Sequence, residues 1–536
     1  MTTTVDLRGS ARTGNASLDA GKDALVTQWT HRLTRDDPLP ASLLACARLL
    51  SLNQMELYEV QGSRQPQQHH AVVSPRNELE THVFLRAVLR SLLPQGAEQD
   101  DTAAVVAAAL AKLDGMSRST VAAAANEEDP LQDASVDELK RQLRVAGAVG
   151  VDRVALGAFE GTTGRGLLAV EAVEDADVDR PLLGIPESFL VTAKAAQGPS
   201  SKIGGMLRAI EGLDDDSKLF LFVIYDAKVN KGMTKWRAYW DSLPEAFTTP
   251  LQMDEEAVDV LRGTVLHGAV QSAQAQLEAL HTALFPLLST HYPTLFPLHV
   301  FSLDTFRWAK SLLDSRALRV RIDGELTTCL VPLVDMLNHR PNAHCWRRWF
   351  DQDKRQLCID ANMPIAKGAQ VFLSYGPLRN WELLQDYGFV GDDANPYDSF
   401  AIEFESPADE TKRVGPLLER LGLTSDHHFK LGQPPTPNCL AYLRTIVATY
   451  DELQTIESGK VDPRARSLSK RNELQVVSTI RQTVRFLLNE FHPSTLPTAE
   501  SSASPSPLRH LALRFAREQR AILESILVWA DAQRPQ

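Results

Sequence analysis

Two short segments carry residues suited to binding and orienting a small polar ligand. Asn338 and His339 follow the apolar run LVPLVDML, which reads as a buried strand running into a polar turn. Tyr375-Gly376 closes a second apolar run, thirty-six residues after His339. An Asn and a His in apolar surroundings must find hydrogen-bond partners, because an unpaired buried polar group costs about 1–3 kcal/mol. A tyrosine of ordinary pKa, near 10, is a poor base at neutral pH, so Tyr375 reads as a group that orients a nitrogen. A third segment, Gly164-Arg165-Gly166-Leu167, lets the backbone approach a ligand and offer amides to a carboxylate. It lacks the third glycine and the following helix of a dinucleotide fingerprint. Taken alone, these residues also fit blander roles: a tight turn, a satisfied core Asn-His pair and a buried ring.

Other chemistries have less support. The five cysteines, Cys46, Cys329, Cys345, Cys358 and Cys439, include no C-x-x-C pair. A disulfide framework, a four-cysteine zinc site or any other metal is therefore not expected, and a reducing compartment is. The formal net charge is −12, a poor match to a nucleic-acid partner. No apolar run reaches the roughly 18 residues of a membrane span, and the opening MTTTVDLRGSARTG has no secretory apolar core.

The elements that must position these residues alternate in type. At 536 residues more than one domain is expected. Residues 1–22 are polar and without periodicity, and read as disordered. Residues 23–147 read as helical, with loops at 61–70 and 93–101. From 148 to 196 short β-like runs are punctuated by Gly and Pro. Residues 197–317 return to helical patterning, including a stretch over 254–288. Strands resume over 318–392, with a hairpin turning near Asp351–Lys354 and a short helix that Asn380 would cap. Residues 393–536 are helical, and 494–507 reads as a linker. On the last helix Leu508, Leu511, Phe515, Ile522, Ile526 and Trp529 make a stripe that packs onto neighbouring helices or onto a partner.

The motifs, with LVPLVDMLNH, QVFLSYGPLRNWELLQDYGFV, WRAYWDSLPEAFTTPL and DTFRWA, resemble the split SET-domain methyltransferase family, which includes Rubisco large-subunit lysine methyltransferase and the actin-histidine methyltransferase. The resemblance covers about 150–535. It implies an α+β fold: a β-rich SET domain split by a helical insert, with a helical N-terminal extension and an all-helical C-terminal substrate-binding domain. It implies S-adenosyl-L-methionine as cofactor, held by Gly164, Arg165, Gly166, Leu167, Asn338, His339, Tyr375, Tyr387 and Phe389. Tyr375 is the implied catalytic residue, and Arg316 and Asp335 the implied substrate contacts. The histidine branch has polar groups where this chain has Ala317, Leu318 and Val334, so lysine is the expected acceptor and histidine the alternative. A catalytically inactive SET-fold scaffold is the reading from another class. The expected partner is a non-histone protein, a ribosomal or translation protein among the candidates, with no nucleic acid or membrane. A monomer in the cytoplasm or nucleus is expected.

Overall fold

The computed structural model describes residues 2–8, 16–26, 28–52, 57, 75–92, 101–119, 130–159, 164–174, 177–199, 201–230, 234–341, 343–391, 395–405, 408–496 and 506–533. The loop expected at 61–70, that expected at 93–101 apart from Asp101, which begins a helix, and most of the 494–507 linker lie outside these residues. The chain divides into two compact units. One comprises Met1–Ala123, Asp398–Glu490 and Gln519–Gln536; the other comprises Ala124–Tyr397 and Phe491–Glu518.

The first unit is mostly helical. Helices Ala41–Leu50, Pro75–Ser91 and Asp101–Ser119 bury Leu43, Leu85, Leu89, Val105, Val106 and Leu113 in one core. The amino-terminal expectation is corrected here. Thr2–Asp6 is a strand, paired antiparallel with Thr30–Thr34, and Ala16–Asp23 is a helix. The β-branched run Thr2–Val5 suits a strand, and Val5 and Leu7 are fully buried in the same core. The other end of the chain, expected to be all-helical, is corrected too: Phe400–Glu403 and Asp426–Phe429 form an antiparallel strand pair that buries Phe400, Ile402 and Phe429 on one face, followed by helices Pro437–Ile446, Tyr450–Glu457 and Lys470–Glu490.

The second unit holds the β-rich part. Val154–Phe159 pairs with Gly164–Ala169, and Arg180–Pro186 with the hairpin Arg348–Asp351 and Gln356–Ala361. Val191–Thr192, Leu318–Ile322 and Glu325–Leu330 form a third sheet. Asn338–His339 lies parallel to Phe372–Leu373, with Asn338 opposite Phe372 and His339 opposite Leu373. That pairing places the Asn-His and Tyr-Gly segments side by side.

Three local expectations change. LVPLVDMLNH is not one strand entering a turn. Its first strand ends at Leu330, a 3-10 turn spans Val334–Met336, and Asn338–His339 begins a new strand. The break falls where Leu333 adopts a φ of 74°, a conformation that costs a non-glycine residue of order 1–3 kcal/mol and persists only when its surroundings hold it. The helical stretch 254–288 is two helices, Glu255–Val260 and Leu266–His291, separated at Gly263. Gly263 has a φ of 84° and sits against Phe491, where a Cβ would not fit. The helix at Asn380–Glu382 is capped through Arg379, whose amide donates to Glu382 Oε2 at 2.8 Å. Asn380 instead donates to Glu518.

Helical patterning over 197–317 divides into short pieces, among them Asp215–Ile224, a π-helical turn Tyr225–Val229, Arg237–Ser242 and Leu303–Arg316. On the final helix, Phe515 packs within its own unit beside Leu384 and Val390. That covers this part of the apolar stripe from within the chain.

Candidate active site

A cavity of about 340 Å³ opens in the second unit. Arg165, Asn338, Tyr375, Tyr387, Phe389, Arg316 and Asp335 all line it. Seven of the eleven residues singled out in the sequence therefore converge, from strands, turns and a helix end up to 224 positions apart (389 less 165). Gly166, Leu167 and His339 are buried and do not line it, and Gly164 is exposed and does not line it either.

Gly164 has the left-handed φ of 55° typical of a turn residue, and Arg165–Leu167 continue from it as strand. Leu167 points into the hydrophobic core and its carbonyl accepts from the Val371 amide at 2.8 Å. Gly166 is where space is scarce. A Cβ there would lie 2.6 Å from Asn338 Nδ2 and 2.6 Å from Gln370 Nε2. Only a bare backbone lets these two amides close around the strand. Asn338 Nδ2 donates to the Arg165 carbonyl at 3.0 Å, tying the Asn-His segment to the glycine segment. The Arg165 guanidinium pairs with Asp133 at 2.7 Å, and Asp133 also caps the helix Ala134–Val145.

His339 is buried, and burial depresses its pKa to about 4. Its Nδ1 accepts from the Tyr375 amide at 3.0 Å. That acceptor role leaves the 3.4 Å approach to the Leu373 carbonyl without a proton to share, and the neutral ring carries its proton on Nε2. His339 therefore orients Tyr375 and is not placed as a base. The Tyr375 ring stacks between His339, with centroids 5.0 Å apart, and Tyr387, 4.6 Å apart. Its hydroxyl donates to the Leu337 carbonyl at 2.7 Å, and burial raises its pKa further. With its proton committed, the oxygen has lone pairs left to accept an N–H. Phe389 contacts the Tyr387 ring edge-on. Gly388, at φ 76°, passes so close to Thr248 and Thr249 that a Cβ would meet their backbone at 2.6 Å.

Arg316 and Asp335 form an ion pair in the wall. Arg316 Nη1 donates to the Asp335 carbonyl at 2.9 Å and approaches Oδ2 at 3.4 Å. The Asp335 side chain is wholly buried. Burial raises its pKa, and Arg316 opposes that rise. Sequence reasoning missed the other side of the cavity: Ser242, Pro244, Ala246, Phe247 and Thr248 from the insert, and Tyr239 behind them. The Tyr239 hydroxyl donates to Asp335 Oδ2 at 2.7 Å. The run WRAYWDSLPEAFTT was visible, but its residues have no periodicity that marks a wall.

Residues 16–122 and 416–523 match the family model described as Rubisco LSMT substrate-binding. Among curated proteins, the chain is 31% identical to the ribosomal lysine N-methyltransferase set10 of Schizosaccharomyces pombe, over 43% of this chain and 41% of that one. It is 28% identical to SET domain-containing protein 4 of Mus musculus, over 50% and 61% respectively. It is 24% identical to the actin-histidine N-methyltransferase of Xenopus tropicalis, over 68% and 65%. The chain is homologous to the SET-domain methyltransferases. It spans less than two thirds of the length of each of these relatives. Among solved structures, the SET domain of LSMT bound to lysine and AdoHcy superposes with a TM-score of 0.57 at 20% identity, covering 75% of this chain and 92% of that one. Rubisco LSMT bound to AdoMet gives 0.55 with the same coverage. These two likenesses establish the α+β SET fold. The family model also reaches residues 16–122, the stretch the motif resemblance leaves out.

Proposed function

We propose that the protein is an S-adenosylmethionine-dependent protein methyltransferase that modifies a lysine side chain of a non-histone protein. The observation that carries this reading is the convergence of Arg165, Asn338, Tyr375, Tyr387 and Phe389 on one cavity with the Arg316–Asp335 pair. The cofactor would supply an electrophilic methyl group. The chain fits it: the bare backbone at Gly166, which a Cβ would fill, lets Asn338 and Gln370 close in, and Gln370 Nε2 is a buried donor without a protein partner. Arg165 and Asn338 would hold the polar part, and the Tyr387 and Phe389 rings would flank the flat part.

Tyr375 then acts by orientation. Its hydroxyl proton is held by the Leu337 carbonyl, so its oxygen accepts an N–H from the acceptor amine and turns the nitrogen lone pair toward the methyl. The acceptor amine arrives with a reference pKa near 10.4, and partial desolvation in the cavity favours its neutral form. Most of the acceleration comes from positioning. Val334 is fully buried, and Ala317 and Leu318 pack against the same core. The side chains at these three positions thus give an imidazole no polar partner, which favours lysine. The match of residues 16–122 and 416–523 to a substrate-binding model supports a folded protein as substrate, and the resemblance to set10 makes a ribosomal protein the first candidate.

The test has two arms. Calorimetric titration with S-adenosylmethionine should show one site, and its absence would leave a scaffold. A lysate from cells lacking the gene, incubated with labelled cofactor, should yield a labelled protein. Mass spectrometry of that band should place the methyl on lysine; placement on histidine would overturn the acceptor assignment.

A further inference from the structure

Two stretches of the first unit share a sequence. Arg76-Asn77-Glu78-Leu79 recurs as Arg471-Asn472-Glu473-Leu474. Over 76–93 against 471–488 eight of eighteen residues are identical, the other four being Arg86 with Arg481, Arg90 with Arg485, Leu92 with Leu487 and Leu93 with Leu488. Leu44-Ala45-x-x-Arg48 likewise recurs as Leu440-Ala441-x-x-Arg444, and Glu56-Leu57 as Glu452-Leu453. The offset is 395 in the first pair (471 less 76) and 396 in the others (440 less 44). Self-similarity at a steady offset marks a repeated structural unit.

The backbone repeats with the sequence. Thr2–Asp6 pairs antiparallel with Thr30–Thr34, and Phe400–Glu403 with Asp426–Phe429. His31 lies opposite Val5 and Leu33 opposite Thr3; His427 lies opposite Ile402 and Phe429 opposite Phe400. Between the two strands of each pair runs a helix, Ala16–Asp23 or Ala408–Leu421. Like helices follow in like order: Ala41–Leu50 and Pro437–Ile446, Pro75–Ser91 and Lys470–Glu490, Asp101–Ser119 and Pro507–Ala532. One buried bond is made twice. Asn77 Nδ2 donates to the Arg48 carbonyl at 2.8 Å, and Asn472 Nδ2 to the Arg444 carbonyl at 3.0 Å. Leu85 and Leu89, and their counterparts Ile480 and Val484, are all fully buried. Apolar patterning alone does not bring the same amide to the same carbonyl from the same helix; a shared fold does. It also accounts for the family model matching two stretches, 16–122 and 416–523.

We propose that residues 2–119 are a second copy of the module that follows Asp398, and that this copy is a second docking module for the protein substrate. The inference rests on the methyltransferase reading above and gives the amino-terminal region its partner. The copy has a core of its own, in which Val5, Leu33, Leu43, Leu85, Val106 and Leu113 bury one another. What a self-cored module adds to the chain is surface, and the family model it matches is one of substrate binding. Two such modules on one chain hold one substrate molecule more tightly than either alone, because the second contact is intramolecular.

The experiment uses the full chain and the labelled protein that mass spectrometry identifies in the lysate assay above. That protein is purified and added at saturation, with S-adenosylhomocysteine in place of the cofactor to stop turnover, and amide exchange is followed by mass spectrometry. Exchange should slow at least threefold in peptides from 30–50 or 75–92 as well as in peptides from 426–490. Slowing confined to residues after Asp398, or absent from both modules, overturns the proposal. A surface variant separates contact from protection transmitted through the fold. Arg32, Ala107 and Ala111 are exposed on two elements of the amino-terminal copy. Arg32→Glu, Ala107→Glu and Ala111→Glu together should raise KM for the substrate protein at least threefold and leave cofactor Kd within twofold. An unchanged KM overturns the proposal. Should the triple variant fail to fold, Arg32→Glu alone decides by the same thresholds. A wild type that labels nothing in the lysate overturns the methyltransferase reading, and this inference with it.

Discussion

Replacing Gly166 by alanine adds one methyl group where the strand meets two amides. The new Cβ would stand 2.6 Å from Asn338 Nδ2 and 2.6 Å from Gln370 Nε2. Ordinary contact begins near 3.5 Å, so both side chains must retreat by roughly 0.9 Å. Asn338 has little room to comply, because the same nitrogen donates to the Arg165 carbonyl at 3.0 Å. Moving it breaks that bond, at about 1 kcal/mol, and overpacking adds roughly 1–3 kcal/mol. Since Asn338 and Arg165 are the polar contacts assigned to the cofactor, we expect S-adenosylmethionine affinity to fall about 10–100-fold, which is about 1.4–2.8 kcal/mol at 1.4 kcal/mol per tenfold, with the rest of the cost falling on folding stability. Isothermal titration calorimetry measures it, with circular dichroism to confirm the fold. Gly205→Ala is the control: its Cβ would meet nothing within 4 Å, and binding should not change. Asn338→Ala should weaken binding by a similar factor, and in that background Gly166→Ala should cost much less, because the clashing amide is gone. A folded Gly166→Ala that binds within threefold of wild type would refute the assignment of this corner to the cofactor.

Tyr375→Phe should reduce transfer more than 100-fold while cofactor affinity stays within a few-fold; full activity would leave Tyr375 as a core ring only. His339 and His427 are buried, and burial depresses both pKa values to about 4. Their folded values lie below the unfolded 6.5, so each contributes stability that is present above pH 6.5 and lost as pH falls toward 4, about 2 kcal/mol each by pH 5. Imidazole NMR signals of these two should stay neutral down to pH 5, and titration near 6.5 would refute it. A docking role for the helices after Asp398 is tested on exposed Lys460, Arg466 and Lys470. Reversal of all three to Glu should lower methylation of the protein substrate at least threefold without changing cofactor Kd, and an unchanged rate would leave these helices as support. Arg464 and Arg471 are unsuited to that test, because they bind Asn438 and Glu452. Deleting 400–536 is unsuited too, because it would strip Ala512 and Phe515 from the core of the second unit.

The sequence by itself determined the ingredients. Asn338, Tyr375 and Arg165 were legible because each sits in a short segment whose residue types are unusual for their surroundings, while Tyr387 and Phe389 were legible only through the family resemblance. The hairpin turning near Asp351–Lys354 was legible because its pairing is local. Tertiary structure decided what these residues face. The parallel pairing of Asn338–His339 with Phe372–Leu373 is non-local and leaves no periodic trace. It is this pairing that makes His339 an acceptor for the Tyr375 amide. Leu333 broke an apolar run that reads as continuous, because a backbone turn held by its surroundings is invisible in hydropathy. Strand Thr2–Asp6 was hidden for a related reason: its partner Thr30–Thr34 supplies the hydrogen bonds and the core supplies the burial. Tyr239 was the most hidden of all. Nothing in WRAYWDSLP distinguishes a ring that fills a core from one whose hydroxyl, 96 residues away in sequence, binds a buried carboxylate. Periodicity reports which face of an element is apolar; only the packed chain decides which buried polar atoms meet, and which are left for a ligand.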